Sequence, residues 1–428
     1  MSDTPEDTLR PAGWAGFLPV GVALAGLAAA GAWSIRTGWA DYRMRQETVA
    51  ATEAAIAITP DQAEYYARLA WLVSDDNPQK AKDALQRAVA LNPWDAQSWI
   101  ELGLRAEAEG DDTTAKQCLL GAAEVDKKFL PRWTLANYYF RHFDAAMFWF
   151  WAQEAAAMAY GDAQPIFRLC GRVAEDGKLI DRLEIRNPEV RAGYLSYLLG
   201  QNRVDLIGPA LHRLLDDNRL ADVPLLLTAC ERLLDARRVD QAAEIWNRLA
   251  DAGRVQFRTP AGEGEQLVAN GSFAAPPSSR GFDWRLPVVQ GIGVSREEES
   301  PGLRLTFSGT EPEDCEPLLQ LVPLQSKMQY KLSFAYRTRG IASGQGLGWR
   351  ITDASSGAIL SEGPSLASEP DAETHLSFET PADCRLVRLA LRYHRTRGTT
   401  RMEGFLVLRN VALKPAAHSP IDGARVRK

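Results

Sequence analysis

No cysteine pair in this sequence stands at a C-x-x-C spacing, and no G-x-S-x-G or phosphate-cradling P-loop is present. Those absences exclude zinc ribbons, thiol redox motifs, nucleophile elbows and P-loop hydrolases as sequence-level assignments. The five histidines, His142, His212, His375, His394 and His418, fall at no metal-ligand spacing. Gly344, Gly346 and Gly348 alternate in a strand-like setting rather than before a helix, so they are no dinucleotide loop. Carboxylate pairs such as Glu298-Glu299 lie in a charged loop. No cofactor, no metal and no catalytic group is therefore expected, and the chain reads as a non-enzyme. One sign of charge does not dominate: the net charge is -6 over 428 residues, with 20 basic against 17 acidic residues from Leu267 onward. This is not the profile of a nucleic-acid-binding protein.

What the chain does have is length for two or three domains. Charge is missing between Pro11 and Ile35, a run of about 37 Å as a helix against a hydrocarbon core of about 30 Å. Trp14 and Phe17 stand near one end, Trp33 and Trp39 near the other, as interfacial aromatics would. Ala30-Gly31-Ala32 has the form of a signal-cleavage site, but the preceding tail is acidic and the run is long for a signal peptide. The expectation is a transmembrane helix over 13–35 behind a tail of 1–12. That makes a single-pass inner (cell) membrane protein. Arg36, Arg43 and Arg45 argue for a cytoplasmic body, whereas a large β-domain behind such an anchor argues for a periplasmic or extracytoplasmic one, which is the expectation taken.

Helical periodicity fills 51–253, with self-similarity at a period of about 34 residues. Trp99, Leu102, Gly103 and Ala106 share one helix, Gly110-Asp111 turns, and Ala115, Leu119 and Ala122 line the next. Two antiparallel helices nest where Gly103 meets Ala115. Tyr66, Leu69, Ala70 and Val73, then Ala81, Leu85 and Ala88, repeat the pattern up to Leu91-Asn92-Pro93. A third unit starts at Trp133, and Leu226–Leu249 is again repeat-like. These residues resemble the tetratricopeptide family, which implies a helical solenoid that holds a protein partner in a concave groove. Tyr138, Tyr139, Phe140, Phe143, Phe148, Trp149, Phe150 and Trp151 are too many aromatics for one helix face. They fit a helix buried between repeats, a partner-docking surface led by Tyr139, Trp149 and Trp151, or a saccharide platform.

A Pro- and Gly-rich linker over 254–266 precedes a change of texture. Tyr330–Tyr336, Leu347–Ile351 and Val387–Tyr393 alternate apolar and polar residues, which is the signature of stacked antiparallel sheets. The opening Leu267-Val268-Ala269-Asn270-Gly271-Ser272-Phe273, Trp284, and the closing Phe405–Leu413 are similar to the jelly-roll carbohydrate-binding-module superfamily. The expected fold is thus an N-terminal transmembrane helix, an all-α solenoid, an all-β jelly-roll sandwich over 267–416 and a tail over 417–428. The resemblance implies possible polysaccharide binding, with Trp284 as the aromatic candidate. Trp349, Tyr336 and Tyr393 lie on the apolar face, as core residues do. Calcium sites of that superfamily would fall at Ala274 and Arg409-Asn410, where the charged oxygen ligands that a hard cation needs are missing. Cys315 and Cys384 share this domain and could pair in an oxidising compartment. Arg337, Arg350, Arg388 and Arg392 share the polar face parity and would make a cationic strip if adjacent. Together the two resemblances imply a membrane-anchored scaffold, an accessory factor of bacterial envelope or exopolysaccharide assembly. The alternative is a glycan-recognition protein acting through the sandwich.

Overall fold

The computed structural model describes residues 18–159, 161–174, 179–259, 266–297 and 300–416. It divides into two compact units, Met1–Ala159 and Tyr160–Lys428.

The first unit is built of helix pairs: α1 (Leu18–Met44) with α2 (Val49–Ile58), α3 (Ala63–Leu72) with α4 (Pro78–Leu91), α5 (Ala96–Ala108) with α6 (Asp112–Val125), and α7 (Phe129–Arg141) with α8 (Ala145–Met158). The start signals are chemical. Asn77, Asp95, Asp111 and Asp144 each accept a backbone N–H of the following helix through the side chain, satisfying donors that have no partner within the helix. Small residues set the pairing distance. A Cβ on Gly103 would lie 2.9 Å from Leu119 Cγ and 3.2 Å from the Ala115 carbonyl, so α5 rests on α6 through glycine. Gly103→Val is expected to cost about 1–3 kcal/mol by overpacking this contact, measured by chemical denaturation.

The expected membrane anchor is corrected here. Among the described residues no helix is long and apolar enough to cross a membrane. Residues 13–17 of the expected span lie outside the described residues. From Leu18 the run is largely Ala and Gly, which bring little apolar surface, and the same helix continues through Arg36, Asp41 and Arg43 to Met44. Its last turns belong to the solenoid: Ala40 is sealed against Ala55 and Tyr65, the Tyr65 hydroxyl donates to Asp41, and Arg36 Nε donates to the Ile58 carbonyl at 2.6 Å. Burial, then the Asp41 carboxylate, pushes the Tyr65 hydroxyl up to about 12. Trp39, expected at a membrane interface, stacks on Tyr42 and under Arg43. The single-pass inner-membrane placement, with its periplasmic body, falls with the span.

The second unit opens with α9 (Gln164–Val173), α10 (Leu179–Arg182), α11 (Pro188–Gly200), α12 (Ile207–Asp217), α13 (Val223–Asp235) and α14 (Val239–Asp251). Among the described residues nine strands follow: β1 (Ile292–Arg296), β2 (Leu303–Ser308), β3 (Asp314–Pro323), β4 (Gln329–Arg339), β5 (Leu347–Asp353), β6 (Ile359–Glu362), β7 (Ala372–Glu379), β8 (Leu386–His394) and β9 (Glu403–Pro415). They form two antiparallel sheets, ordered β1-β2-β9-β4-β7 and β3-β8-β5-β6. The period-two apolar faces of both meet in one core that includes Leu305, Leu332, Phe334, Trp349, Leu389, Tyr393 and Leu408. A helical N-terminal region followed by an all-β C-terminal domain is thus the architecture.

The opening motif closes the sandwich onto its last strand. Val411 N donates to the Gly271 carbonyl at 2.8 Å, and a Cβ on Gly271 would sit 1.9 Å from the Val411 carbonyl, so only glycine fits. The Asn270 amide is spent on both backbone groups of Ala275. The last helix pair is fastened to the sandwich. Glu231 of α13 accepts Gly281 N at 2.5 Å and the Arg285 guanidinium at 2.7 Å, and Trp246 of α14, 1% exposed, lies against Phe282. The described part of 254–266 is tied down as well: the Trp246 indole donates to the Phe257 carbonyl at 2.7 Å, and the Thr259 N–H and hydroxyl each donate to Asn247 at 2.8 Å.

One backbone device recurs. The first helices α5, α7, α11 and α13, and also α14, end with the same pair of bonds, as in Asp111 N to Ala106 O and Gly110 N to Glu107 O. The turn residue is left-handed each time: Gly110, Phe143, Asn202, Arg237 and Gly253. Gly and Asn take that conformation cheaply. Phe143 and Arg237 do not.

Candidate functional site

The four-stranded sheet turns its polar face outward and carries a ladder of ion pairs. On it, Arg388 pairs with Glu316, Arg392 with Asp314, and Arg350 with Glu362 at 2.5 Å. Arg337 stands on β4 of the other sheet and meets Glu297 at 3.5 Å. The four expected arginines are therefore divided three to one between the sheets, and each faces a carboxylate. The cationic strip is a neutralised ladder. Asp314, Glu316 and Glu362 went unrecognised in sequence because their partners are set by the pairing of β3 with β8 and of β5 with β6, which no local pattern announces.

The hydrogen bond from Arg392 holds the Asp314 carboxyl below the usual carboxylate range, against a smaller opposing push from burial. A lowered folded-state pKa stabilises the fold above the ordinary carboxylate value of about 4, and the gain is lost as the pH falls through the folded value. Arg392→Ala is expected to return Asp314 toward the ordinary value, read by NMR titration of its side-chain carboxyl carbon.

Beside this ladder a groove of about 440 Å³ runs over Gly346, Gly348 and Gly363, with Arg350, Arg392 and His394 on its walls. It is polar, without an aromatic platform. Trp284, the aromatic expected to meet sugar, is 0% exposed and packs between Phe273 and Trp349, its indole donating to the Asn270 carbonyl at 3.2 Å. It offers a ligand no face. Trp349 and Tyr393 are equally sealed, and Tyr336 is half-buried. At Phe273 and Ala274, near the position the resemblance gives a calcium ligand, Arg296 donates to both carbonyls, at 3.2 and 2.6 Å. All five cysteines are free thiols, so Cys315 and Cys384 do not pair. Burial pushes both up to about 11.

In the first unit Tyr139 is buried, its ring edge-on to Tyr138, which places it in the core rather than on a docking surface. Trp149 and Trp151 are half-buried on α8, edge-on to Phe148 and Phe150. Apolar residues stand in solvent at several other places, Trp94, Leu130 and Phe150 among them, and four of them form a group. Trp71 is 59% exposed near the end of α3, with Arg68 stacked at 4.5 Å. Leu104 is exposed at the equivalent place on α5, and Phe140 near the end of α7. Phe143, in the α7–α8 turn, is 94% exposed at φ 56°. Each lies at the C-terminal end of the first helix of a pair. The polar groups around them are engaged with one another: Arg105 donates to Ser74 at 2.6 Å, and Arg141 grips Glu107 with two bonds at 2.9 and 2.7 Å. The signal available in sequence was the helical spacing of Gln97, Glu101, Leu104 and Ala108, an apolar residue in an otherwise solvated stripe.

Neither a family model nor a curated protein matches the chain. Among solved structures, the CBM4 module is similar over 35% of this chain and 99% of its own, at 13% identity and a TM-score of 0.29. The CBM61 module solved in complex with beta-1,4-galactotriose covers 36% and 99%, at 11% and 0.25. MamA covers 25% of this chain and 64% of its own, at 21% and 0.24. At these identities and scores none of them assigns a function.

Proposed function

We propose that this protein is a non-catalytic binding scaffold whose first unit holds a protein partner along the C-terminal ends of α3, α5 and α7. One observation carries the reading: Trp71, Leu104, Phe140 and Phe143 stand in solvent at successive helix ends while the charged groups beside them are paired internally. Aromatic side chains in such a row supply the desolvated anchors of an interface, ringed by groups that already satisfy one another. The helix-pair resemblance to tetratricopeptide proteins supports the same reading. Membership of that family, and of the carbohydrate-module superfamily for the sandwich, is part of the proposal. So is the setting in bacterial envelope or exopolysaccharide assembly, which rests on the resemblances alone. Trp71→Ala is expected to weaken partner binding by about tenfold or more, the loss of one aromatic anchor, with the melting temperature unchanged. A biolayer measurement against the captured partner checks both.

A second reading has one observation in its favour. The glycine-floored groove on the four-stranded sheet could admit a polar chain such as a polysaccharide, recognised by Arg350, Arg392 and His394 rather than by ring stacking. A glycan array of the full chain tests it: retention that survives in wild type and disappears in Arg392→Ala supports it, and silence removes it.

A further inference from the structure

At the opening of the sandwich two successive backbone carbonyls meet one guanidinium. Arg296, the last residue of the edge strand β1, donates through Nε to the Phe273 carbonyl at 3.2 Å and through a terminal nitrogen to the Ala274 carbonyl at 2.6 Å. The turn that presents these carbonyls is fixed by other groups. Phe273 holds φ 56°, its ring is buried against Trp284, and its N–H donates to the Asn270 carbonyl at 3.0 Å. The Asn270 side chain engages both backbone groups of Ala275. The two carbonyls thus form a small cradle whose negative ends face one point, and Arg296 fills that point.

The charge around Arg296 is the second observation. Other arginines of the sandwich are met by carboxylates: Arg350 by Glu362, Arg388 by Glu316, Arg392 by Asp314 and Arg409 by Asp371. Arg296 has no ion-pair partner among the described residues. Its neighbour Glu297 is engaged elsewhere, by Arg304 at 3.4 Å and Arg337 at 3.5 Å. A full positive charge held by carbonyl oxygens, with no acid beside it, sits as a bound metal ion would. A calcium ion does not fit the same residues. It takes roughly six to eight oxygen ligands, carboxylates among them, whereas position 274 is alanine and a guanidinium already covers both carbonyls.

We infer that Arg296 is the resident cation of this cradle: it fastens β1 to the opening turn as a metal would, and the sandwich keeps its fold without calcium. The inference stands apart from the partner surface of the first unit and from the polar groove on the four-stranded sheet.

Thermal melting of the full chain, followed by near-ultraviolet circular dichroism, tests it. The wild-type transition is expected to be the same in EDTA and in millimolar calcium. Arg296→Ala is expected to lower the melting temperature by about 2–4 °C, the loss of two charge-assisted bonds at an exposed site. Adding Ala274→Asp to Arg296→Ala empties the cradle and supplies a carboxylate, and that double variant is expected to melt higher in calcium than in EDTA. A purely mechanical role for Arg296 would give the first loss without this calcium response. A wild-type transition that falls in EDTA, an Arg296→Ala protein as stable as wild type, or a double variant indifferent to calcium would each overturn the inference.

Discussion

Trp284→Ala is expected to cost the second unit about 3–5 kcal/mol, the range for removing a large buried aromatic side chain. The indole is completely enclosed, shares its faces with Phe273 and Trp349, and ties the sandwich core to the Asn270 turn through its N–H. Removing it leaves a cavity between the two sheets and takes from the Asn270 carbonyl one of its two donors, the other being Phe273 N at 3.0 Å. Chemical denaturation followed by near-ultraviolet circular dichroism reads the loss. The outcome bears on function as well. If Trp284 were a sugar platform, the variant would keep its stability and lose only a ligand. A full-stability Trp284→Ala protein would contradict the burial described here.

Gly281→Ala is the second large effect, about 2–4 kcal/mol. Gly281 holds φ 50°, and a Cβ there would lie 2.3 Å from Cζ3 of Trp246. The strain of a left-handed alanine adds to the overpacking of a rigid indole that has no room to retreat. The consequence is not local. Gly281 and Arg285 are the residues through which Glu231 fastens α13 to the sandwich, so the loss should reach both structures. Hydrogen exchange is expected to show faster opening in α13, α14 and β3 together. Adding Trp246→Leu to Gly281→Ala should cost less than the sum of the two single changes, because the clash is removed with the indole. Exchange that accelerates in the sandwich alone would mean that the helix pair is only loosely attached.

Much of this architecture was legible in the residues, for stated reasons. Helix pairs show in sequence because nesting needs Gly103 and Ala115 at fixed places and because Gly110-Asp111 marks the turn between them. Strands show because Leu347, Trp349 and Ile351 must alternate with polar neighbours to face one core. The N-terminal apolar run misled for an equally physical reason. Ala- and Gly-rich helix is compatible with lipid or with close helix packing, and what separates them is the engagement of Ala40, Asp41 and Arg36 with α2 and α3, which is a tertiary fact. The candidate sites were least legible. The arginines were found but not their partners, since Asp314, Glu316 and Glu362 lie across strand pairings. Tyr139 and Trp284 were selected for residue type, and type does not separate an anchor from a core filler. Phe143 was singled out only as one aromatic of a stretch, and its left-handed turn and that of Arg237 went unread because such a conformation is normally signalled by Gly or Asn, and here it is imposed by the bonds that close the helix.

The strain at Phe143 makes the scaffold proposal unusually open to test. Phe143→Gly should gain about 0.5–1 kcal/mol by relieving the left-handed turn, so a lost interaction in that variant cannot be blamed on unfolding. The most direct measurement places a photo-crosslinking amino acid, one position at a time, at 71, 104 and 143, with Gln117 on α6 as the control. The account predicts one common protein adduct from the three exposed positions at the helix ends, none from position 117, and loss of the adduct at 71 and 104 when Phe143→Gly is added. No adduct at any of the three, or the same adduct from position 117, would contradict it.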